Sequence, residues 1–265
     1  MNTYPLEAGS DGALSTVMPA GRLFRAYLTE AKYECVRMFR VPAFAGPFLA
    51  LPVLLYLLFA VLLYGPALRS EPAGALFTFT AFSILGVIGP GLFAFGITIA
   101  MEREQGLFTL KRALPTPPAA YLLSKMLMSM MFVAIVMVTM IAAAPLGHLR
   151  LTAGQLLSVA VINIWGALPF CAIGLFIGTR VTGKSAPGFV NLVYFPMLYL
   201  SGFLIPLPKS IQWIAFASPA YYLNQLVRRV EGASSQGPPL MHIAILTGFT
   251  LALTAIALRR LKRVG

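Results

Sequence analysis

The stretch GTRVTGKS, Gly178 to Ser185, matches the phosphate-cradling pattern G-x-x-x-x-G-K-[ST] at every fixed position. Its reading decides between a soluble nucleotide-binding fold and something else. A phosphate loop needs a short buried strand before it, a helix after it, and an acidic residue elsewhere to help hold magnesium. The preceding segment, SVAVINIWGALPFCAIGLFI, is far too long for such a strand. Ala186-Pro187 follows Ser185, and then another apolar stretch of membrane length. The one Asp of the chain is Asp11, near the amino terminus, and Glu102 ends an apolar run of its own. GTRVTGKS therefore reads as a basic turn between two membrane helices, with Arg180 and Lys184 as charge anchors. Just before it, Gly174 and Gly178 form a small-xxx-small pair, which lets membrane helices approach closely.

The chain around this turn is equally apolar. Of 265 residues, 58% are hydrophobic and 11% charged, against about 25% charged in a soluble domain. No charge occurs between Arg40 and Arg69, Glu71 and Glu102, Lys125 and Arg150, Arg150 and Arg180, Lys184 and Lys209, or Glu231 and Arg259. A helix crosses a bilayer with roughly 20 apolar residues, so all six gaps are long enough. The predicted spans are Ala43 to Tyr64, Leu76 to Met101, Tyr121 to Leu146, Leu156 to Gly178, Ala186 to Ile205 and Met241 to Leu258.

The net charge of +12 does not indicate nucleic acid, because the basic residues flank apolar spans instead of forming a free basic patch with aromatics. There they meet lipid headgroups. Cys35 and Cys171 have no second Cys or His at ligand spacing, so neither a disulfide nor a metal site is implied. Residues 1–21 lack a charged head followed by an apolar run and read as a flexible cytoplasmic tail, not a signal peptide. Residues 22–265 read as one transmembrane domain.

Residues 22–40, RLFRAYLTEAKYECVRMFR, have helical periodicity. Phe24, Tyr27, Leu28, Ala31, Cys35, Met38 and Phe39 share one face, and Arg22, Arg25, Lys32, Glu34, Arg37 and Arg40 lie away from it. This predicts a basic helix lying in the membrane interface, with Arg25, Lys32 and Arg37 outward.

Lys and Arg also set the orientation. They concentrate in the amino-terminal segment, in the loops after the second and fourth spans, and in the tail Arg259, Arg260, Lys262 and Arg263. Both termini are thus expected in the cytoplasm, which requires an even number of crossings. Ser210 to Val227 is a seventh charge-free stretch, but Pro219 interrupts it and Asn224 and Gln225 follow. It reads as a broken, partly inserted hairpin on the outer side, allowed where protein or water covers its backbone. The fold class is all-α integral membrane: six transmembrane helices, an interfacial helix before them, and a re-entrant helical hairpin before the last span.

No catalytic constellation emerges. Apart from Lys125, the predicted spans contain no Asp, Glu, Lys or Arg, which argues against proton-coupled transport. His148 and His242 fall at the outer edge with no carboxylate beside them. Neither a nucleophile–base pair nor a metal cluster is present. The chain reads as a conduit whose energy enters from a partner.

Two stretches carry a family resemblance. Met101 to Leu127, MEREQGLFTLKRALPTPPAAYLLSKML, resembles the cytoplasmic loop of ABC type-2 transporter permeases. The matching residues are Glu102, Glu104, Gly106, Pro115 and Lys125, whereas Leu107 stands where the family usually has Thr. Leu200 to Arg228, LSGFLIPLPKSIQWIAFASPAYYLNQLVR, is similar to the family's re-entrant region through Ser201, Gly202, Pro206, Pro208, Pro219 and Tyr222. The resemblance implies the permease subunit of an ABC exporter, paired with itself and with ATP-binding subunits in the inner membrane. ATP and magnesium would sit on the partner, with no cofactor on this chain. Residues 102–120 would form the coupling loop, with Glu102, Glu104, Gly106, Leu107, Phe108, Leu110 and Arg112 meeting the ATPase. Residues 206–238 would form the outer re-entrant segment. Asn163, Asn191, Tyr194 and Tyr199 are candidate lining for the path of an amphiphilic drug, lipid or lipid-linked glycan, and equally ordinary packing residues. The alternatives are a membrane scaffold without transport activity and an intramembrane enzyme acting on lipids.

The purified chain is expected to neither bind nor hydrolyse ATP, and Lys184→Ala to change nothing in a nucleotide-binding assay.

Overall fold

A computed structural model describes residues 20–40, 42–107, 118–202 and 212–264. Among them every regular element is helical and no strand occurs. Helix α1 (Ala20–Phe39) precedes α2 (Pro42–Leu57), which widens into a π-type turn over Leu58–Leu63. A short α3 (Gly65–Ser70) leads to α4 (Pro72–Gly89), which continues through a second wide turn, Pro90–Ala94, into α5 (Phe95–Glu104). Then come α6 (Pro118–Ala143), α7 (Ala153–Gly178), α8 (Ala186–Leu200), α9 (Gln212–Ala215), α10 (Pro219–Val230) and α11 (Pro239–Val264).

Among the described residues, five helical runs are long and apolar enough to cross a membrane: Ala45–Leu63, Pro72–Glu104, Tyr121–Gly147, Ala153–Gly178 and Pro239–Arg260. They fall on five of the predicted spans, with the second longer at both ends. Its 33 residues extend about 50 Å at 1.5 Å per residue, well past a hydrocarbon core of about 30 Å. The expected fifth span differs. Helix α8 stops at Leu200 after 15 residues, about 22 Å, because Ser201 and Gly202 turn the chain, with Gly202 in the left-handed region at φ 77°. Residues 203–211, including Pro206 and Pro208, lie outside the described residues. Further on, the expected half-helices appear as α9 and α10, with Pro219 at the first turn of α10, where its missing N–H costs nothing. Helix α10 is not simply apolar: Asn224 and Gln225 are buried with their apolar neighbours.

Helix α7 is the hub, packed against α5, α6, α10 and α11 and the Pro90–Ala94 turn. The closest approach is backbone on backbone. A Cβ placed on Gly174 would lie 2.8 Å from Gly91 O and 2.9 Å from Leu92 O, and one on Gly178 would lie 2.8 Å from Gly96 O. The sequence pair Gly174/Gly178 is thus the seam against the second span. On that span Pro90 has no N–H to donate, so the helix widens there. The wide turn sets Gly91 against α7, where a Cβ would meet Phe170 and Ala167.

The second span is the most enclosed, with 78% of its apolar window buried against 17% for the first and the last. The apolar surface of α2 and α11 therefore faces outward, as suits lipid. A capping box starts α7, in which Thr152 Oγ1 accepts from Gln155 N and Thr152 N donates to Gln155 Oε1. Gln155 Nε2 also donates to Val230 O at 3.1 Å, which satisfies an orphan carbonyl at the end of α10.

Gly174→Ala is expected to destabilise the chain by about 1–3 kcal/mol, since rigid backbone must move. Gly154→Ala, which meets open space, is expected to be neutral or stabilising by about 0.5 kcal/mol. Thermal unfolding in detergent compares the two.

Candidate functional site

Charged residues from three helices converge at one end of the bundle. Lys125, near the start of α6, is fully buried. An isolated ammonium in such a place carries a penalty of several kcal/mol, so it needs partners. Its Nζ pairs with Glu34 of α1 and with Glu102 Oε1 of α5 at 3.2 Å, and lies 3.4 Å from Thr98 Oγ1. Glu102 also accepts from Arg37 of α1 and from the Tyr121 hydroxyl of α6. Arg37 lies 3.8 Å from Glu34. Two cations and two carboxylates thus close a neutral cluster around buried Glu34 and Glu102.

The local reasons are separate. Glu34 and Arg37 are neighbours at i,i+3 on α1. Glu102 sits in the last turn of α5, where the helix dipole disfavours a negative charge. The two cations and the Tyr121 hydroxyl offset that cost. Phe39 of α1 stacks on Phe132 of α6 with ring centroids 4.8 Å apart, which seats α1 beside the cluster.

This arrangement corrects the predicted face of α1. Glu34 was expected away from the apolar side, yet it is buried, while Leu28 is 51% exposed and Tyr33 67% exposed. Ala31, Glu34 and Cys35 form the inward strip instead. The cause is tertiary: Lys125 of α6 draws Glu34 inward. Arg25, Lys32 and Arg37 are all exposed, and Arg37 also reaches into the cluster. Burial, and then the Glu34 carboxylate, push the Cys35 thiol up, away from thiolate chemistry.

The next residue, Arg103, turns to another neighbour. Its guanidinium donates to Thr179 O and, at 2.8 Å, to Val181 O. These carbonyls belong to the turn that resembles a phosphate loop. In that turn the N–H groups of Thr179, Arg180, Val181, Ser185 and Ala186 all donate to nearby backbone carbonyls. A phosphate cradle would need such groups free. Lys184 is exposed, and Arg180 lies over the Phe176 ring, 3.5 Å from its centroid. The turn is thus a strut held by Arg103.

The remaining predicted residues divide. Glu104 is exposed, and its carboxylate lies where a Cβ on Gly183 would meet it at 2.7 Å. Gly106 ends the helix in the left-handed region at φ 71°, which favours glycine, and Leu107 is half-buried. Phe108, Leu110 and Arg112 lie outside the described residues. Ser201 is buried, and its carbonyl accepts from Asn224 Nδ2. The Tyr222 hydroxyl donates to Phe216 O at 2.8 Å. Asn163 is buried in α7, and among the described residues neither amide atom has a partner. Asn191 donates to Pro187 O within α8, Tyr194 packs on Phe93, and Tyr199 is half exposed. No hydrogen bond joins these last four, so they do not form one site. Sequence reasoning assigned no role to Thr98 or Tyr121, placed Glu34 outward and used Arg103 only as a charge of the loop. The available signal was Lys125, an ammonium inside an apolar run that had to be answered.

Residues 25–231 match the family model described as "ABC-2 type transporter". The Bacillus subtilis (strain 168) protein named "Putative transport permease YvfS" is 27% identical over 225 residues, covering 82% of this chain and 89% of that protein. The chain belongs to the ABC-2 type transporter family, as the two sequence stretches implied, and is a multi-pass membrane protein.

Lys125→Met leaves two buried carboxylates facing each other and is expected to destabilise the chain by about 3–5 kcal/mol. Adding Glu34→Gln to Lys125→Met is expected to recover a large part of that loss. A double-mutant cycle on thermal unfolding measures the coupling.

Proposed function

We propose that this ABC-2 family member is the membrane subunit of an ATP-driven exporter, pairing with a second copy of itself and docking two separate ATP-binding subunits. In this reading the cluster end faces the cytoplasm, both termini lie there, and the membrane is the cell's inner membrane. Lys and Arg support the orientation. Arg25, Lys32, Arg37, Arg103, Lys125, Arg180, Lys184 and Arg260 belong to the cluster end, and Arg150, Arg228 and Arg229 to the other. The crossings number six, the fifth built from α8 and the residues after it. Residues 206–238 form the outer re-entrant segment.

The observation that carries the reading is the ion cluster at the base of the 102–120 loop. Glu102 stands at the loop's entry, Tyr121 and Lys125 at its exit, and α1 is fastened to both. A force on the loop from an ATPase closing around nucleotide would reach α1, α5 and α6 together, and through Arg103 the α7–α8 turn. Buried charge pairs are stiff in this sense, since separating them costs several kcal/mol. Pairing between copies is supported by the apolar residues α8 leaves exposed, namely Phe189, Leu192, Phe195 and Tyr199. ATP and magnesium bind the partner subunits, and the cargo is an amphiphile. A scaffold without transport would have no use for a rigid link between loop and spans.

Co-expressed with its cognate ATPase, the chain is expected to stimulate ATP hydrolysis. A cysteine at Gly106 is expected to cross-link to a cysteine in the ATPase cleft. Glu102→Gln should preserve assembly but lower the stimulation about tenfold, the scale of a typical coupling energy. A folded complex without that cross-link supports a scaffold. ATP hydrolysis by the purified chain that Lys184→Ala abolishes overturns the reading.

A further inference from the structure

At the end of the bundle opposite the ion cluster lie two adjoining cavities, of about 280 and 220 Å³. They share Gly202, Asn224, Arg228 and Ser234. The larger has an apolar wall from α4, formed by Leu76, Phe77, Ala81 and Ile84. The smaller is lined by neutral hydrogen-bonding groups, among them Ser201, Gln212, Tyr221, Gln225 and Gln236. Ala73, Gly232 and Ser234 are exposed at the rim, while Thr80, Asn224 and Glu231 are buried.

Among the described residues, three polar atoms of the lining have no partner: Asn224 Oδ1, Glu231 Oε1 and Arg228 Nε. Asn224 is 7% exposed and Glu231 5%. Their other atoms are engaged, Asn224 Nδ2 with Ser201 O and Glu231 Oε2 with Thr80 Oγ1. Thr80 Oγ1 also lies 2.9 Å from Leu76 O. One hydroxyl carries one proton. Both contacts are met when Thr80 donates to Leu76 and a protonated Glu231 donates to Thr80. Burial acts in the same direction, pushing the Glu231 carboxyl up to about 7, although the Thr80 contact and Arg228 both act to lower it. Among the described residues Arg228 is the other charged group in the lining; α4, the end of α8 and the Gly232–Ser234 loop contribute uncharged groups.

The unmet capacity is therefore two acceptors and one donor. An ammonium head offers only donors and would be repelled by Arg228. An anionic head offers only acceptors and leaves Asn224 Oδ1 and Glu231 Oε1 unmet, at a cost of about 1–3 kcal/mol each. Hydroxyl groups donate and accept at once. We propose that these cavities form a binding site for an amphiphile with a neutral polyhydroxylated head, its hydroxyls on Asn224, Glu231 and Arg228 and its apolar part on the α4 wall. The site belongs to this chain alone and does not depend on the exporter reading, since binding to it needs no ATPase.

The test titrates the full-length chain in lipid nanodiscs with three eight-carbon amphiphiles: octyl β-glucoside, octyl sulfate and octylammonium. The glucoside is expected to bind one per chain, about tenfold tighter than the other two. Asn224→Leu and Arg228→Gln are each expected to weaken it about tenfold. Arg228 is only half-buried, so Arg228→Gln with an unchanged melting curve decides the matter if Asn224→Leu misfolds. Equal binding of the three heads, or glucoside affinity unchanged in the variants, means that the cavities hold water only and overturns the proposal.

Discussion

Lys125 is an ammonium with no access to water near the start of a membrane helix. Everything at that end of the bundle is arranged around this fact. Its charge must be met inside the protein, and the two carboxylates that meet it come from α1 and α5. Each carboxylate is in turn shared with Arg37. The cluster is neutral as a whole, yet no member can leave without stranding another. Such clusters are weak evidence for net stability, because apolar packing can do as well. What this one contributes is position: it fixes α1, the end of the second span and the start of the third in a single register.

The glycine seam extends that register to the rest of the bundle. Gly174 and Gly178 of α7 bring its backbone against Gly91 and Gly96 of the second span, so the two helices meet almost without side chains between them. Arg103 adds a second tie, from the end of the same span to the turn after α7. The second span is therefore held by charge at its end and by backbone contact along its length, and it is also the most enclosed helix. The two ends of the bundle use different chemistry. One closes ionised groups on each other, while the other gathers neutral hydrogen-bonding groups around cavities that Arg228 and Glu231 also line.

Much of this was legible in the residues. The charge-free gaps located the five helices long enough to cross, since length and apolarity are local properties. The Gly174/Gly178 spacing announced a close crossing, and the Ser201–Gly202 and Pro219 signals marked where helices stop and start. The phosphate-loop pattern was correctly read as a turn, because its flanks were too long and apolar. Other features were hidden for a physical reason. Periodicity puts Glu34 with the charged residues of α1, and only a buried partner from α6 can bring it inside. Helix α8 matched a span in composition but stops at Leu200, because turn geometry at Gly202 outweighs apolarity further on. Among the cavity polar groups Asn224, Arg228 and Glu231 are neighbours at the end of α10, but Thr80, which meets Glu231, comes from α4, far away in sequence.

What the chain by itself determined is the solvent in which it folds. Long apolar intervals exclude water, and helices are the way such a backbone satisfies its own hydrogen bonds there. The tertiary structure decided which polar groups meet. A buried charge or amide is stable only beside a complementary group, and that group is supplied by whichever helix packing brings near, not by any neighbour in the sequence. Lys125 could be read as an anomaly from one dimension, but its answers, Glu34 and Glu102, exist only in three.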